Sequence, residues 1–84
     1  ARLLQISERR YALPEQLRIL GDELLQLHAK GEELTVVALK NRWQTGRNLT
    51  VEVLEYFDSI RFTQRQGNVR RVLDAELPVR RFAD

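Results

Sequence analysis

Seven cationic side chains of this 84-residue chain fall in two stretches that contain no acid. Between Glu33 and Glu52 the charges are Lys40, Arg42 and Arg47; between Asp58 and Asp74 they are Arg61, Arg65, Arg70 and Arg71. The formal net charge is +2, so the rest of the chain sums to −5. A basic patch on an otherwise acidic body is the charge layout of a phosphate-binding surface, because acids elsewhere discourage misplaced docking. Arginine can fork onto phosphate or a guanine edge, and Gln44, Thr45, Asn48 and Thr50 add neutral hydrogen-bonding groups among the cations.

Other chemistry is poorly provided for. Glu52, Glu55 and Asp58 have no histidine, nucleophile or glycine-rich loop beside them, so paired acid/base catalysis is not expected and the chain does not read as an enzyme. The single histidine, His28, falls at the end of a helix and reads as structural. There is no cysteine, hence no disulfide framework, thiolate zinc site or cysteine nucleophile, and no metal or cofactor is expected. No apolar run approaches a membrane span and no signal peptide is visible, which fits a cytoplasmic protein. With 43% hydrophobic and 31% charged residues, the chain is long enough for one domain and too short for two. It begins at Ala1 without an initiator methionine and is expected to be a piece of a longer protein.

The elements that must hold the basic residues follow from spacing. Residues 1–13 alternate weakly around the polar turn Ser7-Glu8-Arg9-Arg10, predicting a short hairpin. Pro14 suits the first turn of a helix, and Leu17, Leu20, Leu24 and Leu27 recur at three and four up to Lys30-Gly31, a cationic last turn and a left-handed stop. Gly21 lies on that apolar face, predicting close approach by a neighbour. Thr35 can cap a second helix whose stripe is Val36, Leu39 and Trp43, with Lys40 and Arg42 off it. Gln44-Thr45-Gly46 breaks the pattern. A third helix from about Arg47 to Ile60 buries Leu49, Val53, Tyr56, Phe57 and Ile60, with Leu54 beside them. Its first turn is free of acid while Glu52, Glu55 and Asp58 come later, against the dipole preference for anions at the start. Gly67-Asn68 between two short runs predicts a tight hairpin. The tail, with Pro78, is expected to be loosely held.

Helix, short helix, a glycine-containing turn, helix and a basic hairpin make a winged helix-turn-helix: α+β, mostly α, with three helices, a C-terminal wing and a short N-terminal hairpin. The predicted divisions are 1–13 hairpin, 14–74 winged helix and 75–84 tail. The two acid-free stretches coincide with the turn into the third helix and with the wing, which nothing in the charge count required. The start of the third helix offers unpaired N–H groups, with Arg47 and Asn48 beside them, and Arg65, Arg70 and Arg71 would grip a second stretch of backbone.

Gly46-Arg47-Asn48-Leu49, Leu54-Glu55-Tyr56-Phe57-Asp58 and Phe62-Thr63-Gln64-Arg65-Gln66-Gly67-Asn68 together resemble the last winged-helix domain of the bacterial selenocysteine-specific elongation factors, the SelB family. The resemblance runs from about Glu33 to Asp74, and its specificity lies in the combined string. The chain departs from the family pattern at Gln64, where arginine is frequent, and at Asn48, where lysine is frequent. The resemblance implies a module that binds the selenocysteine insertion hairpin (SECIS) of an mRNA through phosphate contacts and unstacked bases. It also implies a parent that carries GTP and selenocysteinyl-tRNA to the ribosome at UGA. Carried onto matching positions, the contact set is Gly46, Arg47, Asn48 and Arg65; Lys40, Arg42, Gln44, Thr45, Thr50, Arg70 and Arg71 are added from charge and placement. Residues 1–13 resemble the end of a preceding winged-helix module, free to hang or to pack on a neighbour. A monomer is expected.

Two other uses of the fold stay open from the residues alone. One is a DNA-binding winged helix with the third helix in the major groove. The other is a protein-contact module whose basic patch meets an acidic partner. The acids Glu52 and Glu55 on the outward face of the third helix favour RNA, since a groove-filling helix wants neutral or basic residues there.

Overall fold

Phe57 lies at the centre of the fold and is wholly buried. Its ring meets Phe62 edge-on at 5.0 Å and Trp43 edge-on at 6.3 Å, and Phe82 lies 6.3 Å away. Such pairs add about 0.5–1.5 kcal/mol each beyond area burial. The computed structural model describes residues 2–83. Its order is β1 (Leu4–Ser7), β2 (Arg10–Ala12), α1 (Pro14–Ala29), β3 (Leu34–Thr35), α2 (Val36–Trp43), α3 (Arg47–Ser59), β4 (Thr63–Gln66), β5 (Val69–Val72) and α4 (Leu77–Arg81). The winged helix-turn-helix is present with its N-terminal hairpin.

The local signals act as anticipated. Pro14 opens α1, the Gln16 Oε1 accepts from the Leu13 N–H at 3.3 Å, and Gly31 takes a left-handed φ of 78° after the helix. The buried face of α1 is Leu17, Gly21, Leu24 and Leu27. Thr35 caps α2, its Oγ1 accepting from the Ala38 N–H at 3.1 Å, and the Trp43 indole N–H donates to the Leu20 carbonyl at 3.1 Å. Val53, Leu54 and Phe57 form the core face of α3. Gly67, at φ 63°, starts the two-residue turn that sets the wing register, with Gln66 opposite Val69 and Thr63 opposite Val72.

Two features depart from the sequence-based reading, and a third settles an alternative it left open. Leu34–Thr35 also pairs with β5, Leu34 opposite Arg70 and Thr35 opposite Val69, so the wing belongs to a three-stranded sheet in the order β3-β5-β4. Two residues are too few for alternation to show. The tail is not loose: α4 packs on α1, with Leu77, Pro78 and Phe82 buried. Pro78 sits in the first turn of α4, where its missing N–H is harmless and its fixed φ suits the helix start. Of the two alternatives for the N-terminal hairpin, hanging free or packing, the structure shows packing. A register shift between Gln5 and Ser7 frees Ile6 from the ladder, and Ile6 is buried in the core cluster.

The close approach expected at Gly21 is made by α4. A Cβ at that position would stand 3.1 Å from Pro78 Cγ and 3.5 Å from Phe62. Gly21→Leu therefore forces α4 off α1 although leucine is the better helix former. The expected loss is about 2–3 kcal/mol, read as a lower urea midpoint. Arg61 is exposed and left-handed at φ 68° after α3. Arg61→Gly should raise stability in the same assay by about 0.5–1 kcal/mol, the relief of Cβ strain less the added freedom of the unfolded chain.

Candidate nucleic-acid interface

The tip of α3 is built by a small hydroxyl network. Thr50 is wholly buried; its Oγ1 donates to the Gly46 carbonyl at 2.8 Å and meets the Thr45 Oγ1 at 2.7 Å. These bonds set the turn against the first turn of α3. Gly46, the N-cap, offers no side-chain cap, and the first turn contains no acid. The leading N–H groups therefore lack a side-chain acceptor, and the positive end of the helix dipole is not offset.

One flank of this tip opens into a groove of about 470 Å³ between α3 and the wing. Arg47, Val51 and Glu55 line it from α3, Thr35, Val36 and Val37 from the start of α2, and Arg65, Gly67, Asn68 and Arg70 from the wing. Arg65 is exposed and folds over the turn, its Nε donating to the Gly67 carbonyl at 3.0 Å. Arg70 differs: its side chain is only 4% exposed and holds the wing to α3. Its Nε and Nη2 donate to Asp58 Oδ2 at 3.3 and 3.1 Å, while Thr63 Oγ1 donates to Asp58 Oδ1 at 2.6 Å. A carboxylate with three such donors, two of them from one paired guanidinium, is well satisfied for its depth.

The other flank carries a hollow of about 430 Å³ lined by Ser7, Glu8, Arg9 and Arg10 of the hairpin and by Asn48 and Glu52 of α3. Ser7 Oγ and Arg10 Nε donate to Glu52 Oε1, the arginine at 3.3 Å. The hydrogen bond from Ser7, then that from Arg10, holds the Glu52 carboxyl below the usual glutamate range. A lowered acid stabilises the fold above its ordinary titration and loses that contribution as pH falls through the lowered value, so this clasp is intact at neutral pH.

Of the eleven residues drawn from the sequence, Arg47 and Arg65 come together on the groove, and Asn48 stands on the opposite flank of the same turn. Gly46 and Thr45 form the turn between. Gln44 is exposed as the left-handed cap of α2, at φ 55°. Lys40 is half-buried and is not among the groove-lining side chains. Four of the eleven have other places: Thr50 and Arg70 are buried, while Arg42 and Arg71 lie away from the groove. Thr50 is buried and serves the turn, so it cannot touch a ligand. Arg70 is engaged with Asp58. Arg42 reaches back to α1, pairing with Glu23 at 3.7 Å and bonding Gln26. Arg71 lies opposite Gln64, and strand alternation puts it on the other face of the wing from Arg65 and Arg70. Glu52 is likewise no free outward acid, because the hairpin neutralises it; Glu55 remains exposed in the groove.

The sequence reading missed the walls. Val37 is 60% exposed, an apolar residue off the α2 stripe, and that anomaly was its one available signal. Arg9 and Arg10 stood outside both acid-free stretches and had only the polar turn to mark them.

The model of the family described as elongation factor SelB, winged helix, matches residues 26–72, more than half of the chain. This chain belongs to the SelB winged-helix family. The selenocysteine-specific elongation factor of Escherichia coli strain K12 is 47% identical over 38 residues, which are 45% of this chain and 6% of that protein. The corresponding factor of Haemophilus influenzae is 32% identical over 66 residues, 79% of this chain and 11% of that protein. The chain thus spans a small part of these SelB relatives. The mRNA-binding domain of SelB from E. coli, solved in complex with SECIS RNA, superposes with a TM-score of 0.81 at 28% identity, covering 86% of this chain and 60% of that one.

Structural and contact residues should separate in urea unfolding at neutral pH. Arg70→Ala is expected to lose about 2–3 kcal/mol, since it strands the Asp58 carboxylate, and Thr50→Val about 1–2 kcal/mol. Arg47→Ala, at an exposed helix start, is expected to change stability by less than about 0.5 kcal/mol. A large loss for Arg47→Ala would place it in the fold instead.

Proposed function

We propose that this chain is the RNA-binding module of a selenocysteine-specific translation elongation factor and that it takes hold of an mRNA hairpin of the SECIS kind. The observation that carries the reading is the convergence of Arg47, at the uncapped and acid-free start of α3, with Arg65 of the wing on one groove. The likeness to a SelB domain solved with SECIS RNA supports the same choice. The groove has guanidinium groups for backbone phosphate and an apolar wall of Val36, Val37 and Val51 for the face of an unstacked base. Unstacked loop and bulge bases are what proteins read in RNA, because the deep groove of an A-form stem is too narrow for side chains. Glu55, midway along the exposed side of α3, disfavours laying that helix along a duplex groove lined with phosphates.

The module supplies recognition and holds no cofactor of its own. GTP, selenocysteinyl-tRNA and the ribosome are handled by the rest of the factor, which works in the cytoplasm. No helix among the described residues is long and apolar enough to cross a membrane, and no group of three metal-ligating side chains occurs among them.

Fluorescence anisotropy tests the reading with three labelled ligands: a bulged RNA hairpin from beside a selenoprotein UGA, its loop-scrambled variant and a DNA duplex. The expected outcome is tight binding to the first alone, weakened about tenfold or more by Arg47→Ala, equivalent to about 1.4 kcal/mol. Equal binding to all three, with a steep salt dependence, would reduce the site to a generic basic patch.

A further inference from the structure

We propose that the N-terminal hairpin carries a second phosphate-binding contact for the same RNA, centred on Arg9. The inference rests on the RNA-binding reading above and concerns the flank of α3 away from the wing. There the β1–β2 turn comes down beside the first turn of α3 and encloses, with Asn48 and Glu52, the hollow of about 430 Å³. Every residue lining it is polar or charged, and two of the six are arginines.

The charges in the hollow are divided between structure and availability. Ser7 and Arg10 both bond Glu52, which pins the hairpin to α3 and offsets the carboxylate that α3 itself places in the hollow. Arg10 makes that contact through Nε alone, so the outer edge of its guanidinium stays available. Arg9 is exposed and forms no ion pair among the described residues. It is near enough to Glu52 to lower that carboxyl further. A planar guanidinium with two free edges takes phosphate in bidentate fashion, and the Asn48 amide supplies a neutral donor beside it. Arg47 and Asn48 are consecutive, one facing the groove and the other the hollow. A strand crossing the tip of α3 therefore meets a cation on each side, Arg65 with Arg47 on one and Arg9 on the other. Glu8, exposed on the rim, opposes Arg9 and tempers the site.

The test compares the whole chain with Arg9→Gln, Glu8→Gln, Arg47→Ala and Arg81→Gln, the last an exposed cation on α4. Each is titrated with the bulged RNA hairpin and its loop-scrambled variant across a range of salt. Thermal melts confirm that the exposed turn variants fold. Arg9→Gln is expected to weaken both RNAs equally, by about three- to tenfold, and to flatten the slope of log K against log salt by about 0.7–0.9, one phosphate contact. Glu8→Gln should tighten both about twofold, and Arg81→Gln should match the parent. Unchanged affinity and slope for Arg9→Gln would overturn the proposal, as would an equal loss for Arg81→Gln, which would mean net charge alone. A loss confined to the unscrambled hairpin would also overturn it, since a phosphate contact carries no sequence. Loss of binding by Arg47→Ala with none by Arg9→Gln removes the hairpin contact and keeps the RNA reading. Failure of the parent chain to bind either RNA removes both.

Discussion

Burial of Phe57 is the constraint on which the rest of the arrangement depends. Its ring is packed by Trp43 from α2, Phe62 from the entry to the wing and Phe82 from the end of α4, so one residue of α3 fixes three other parts of the chain. Because α3 carries Arg47 at its far end, packing at Phe57 sets where the contact residue stands relative to the wing. Loosening that packing would let α2 and the wing move independently of α3, and the groove between α3 and the wing would lose its shape. Interiors packed as densely as this one respond to small volume changes, so the interface inherits the rigidity of the core.

A second level of order is electrostatic. The acid-free stretches supply seven cations, and the fold uses some of them internally. Arg70 satisfies Asp58 and anchors the wing, and Arg42 ties α2 to Glu23 and Gln26 of α1. What is left at the groove is Arg47 and Arg65, with Glu55 lining the same groove. A buried guanidinium beside a carboxylate has been desolvated and neutralised, so it adds little to the field that draws phosphate. The attractive field therefore comes from fewer residues than a charge count implies, placed where the dipole of α3 adds to them.

The N-terminal hairpin belongs to this molecule rather than lying beside it. Ile6 enters the core through a bulge, and Ser7 and Arg10 close on Glu52. Two hairpins thus flank α3, the wing on one side and β1–β2 on the other, leaving its first turn as the prominent surface between the wing groove and the polar hollow. Such a helix presents a tip rather than a long face, which suits a folded RNA with splayed bases better than a regular duplex.

Much of the fold could be read from single residues whose effect is local. Pro14, Gly31, Thr35 and Gly67 act through backbone geometry and capping, and the leucine spacing of α1 through helical period, so each element appeared close to where it lies. The family pattern likewise singled out Arg47 and Arg65, which do meet on the groove. Other assignments required knowing which element packs on which. The roles of Arg42, Arg70 and Thr50 follow from partners sixteen, twelve and four or five residues away. Arg71 was separated from Arg65 by the register of two strands. The tail became a helix because Gly21 leaves room for Pro78. The chain alone determined the three main helices, the two hairpins and where positive charge accumulates, because propensity and charge are properties of neighbouring residues. Which charges remain free for a partner was decided only when distant segments came into contact, because neutralisation and burial depend on distance in space.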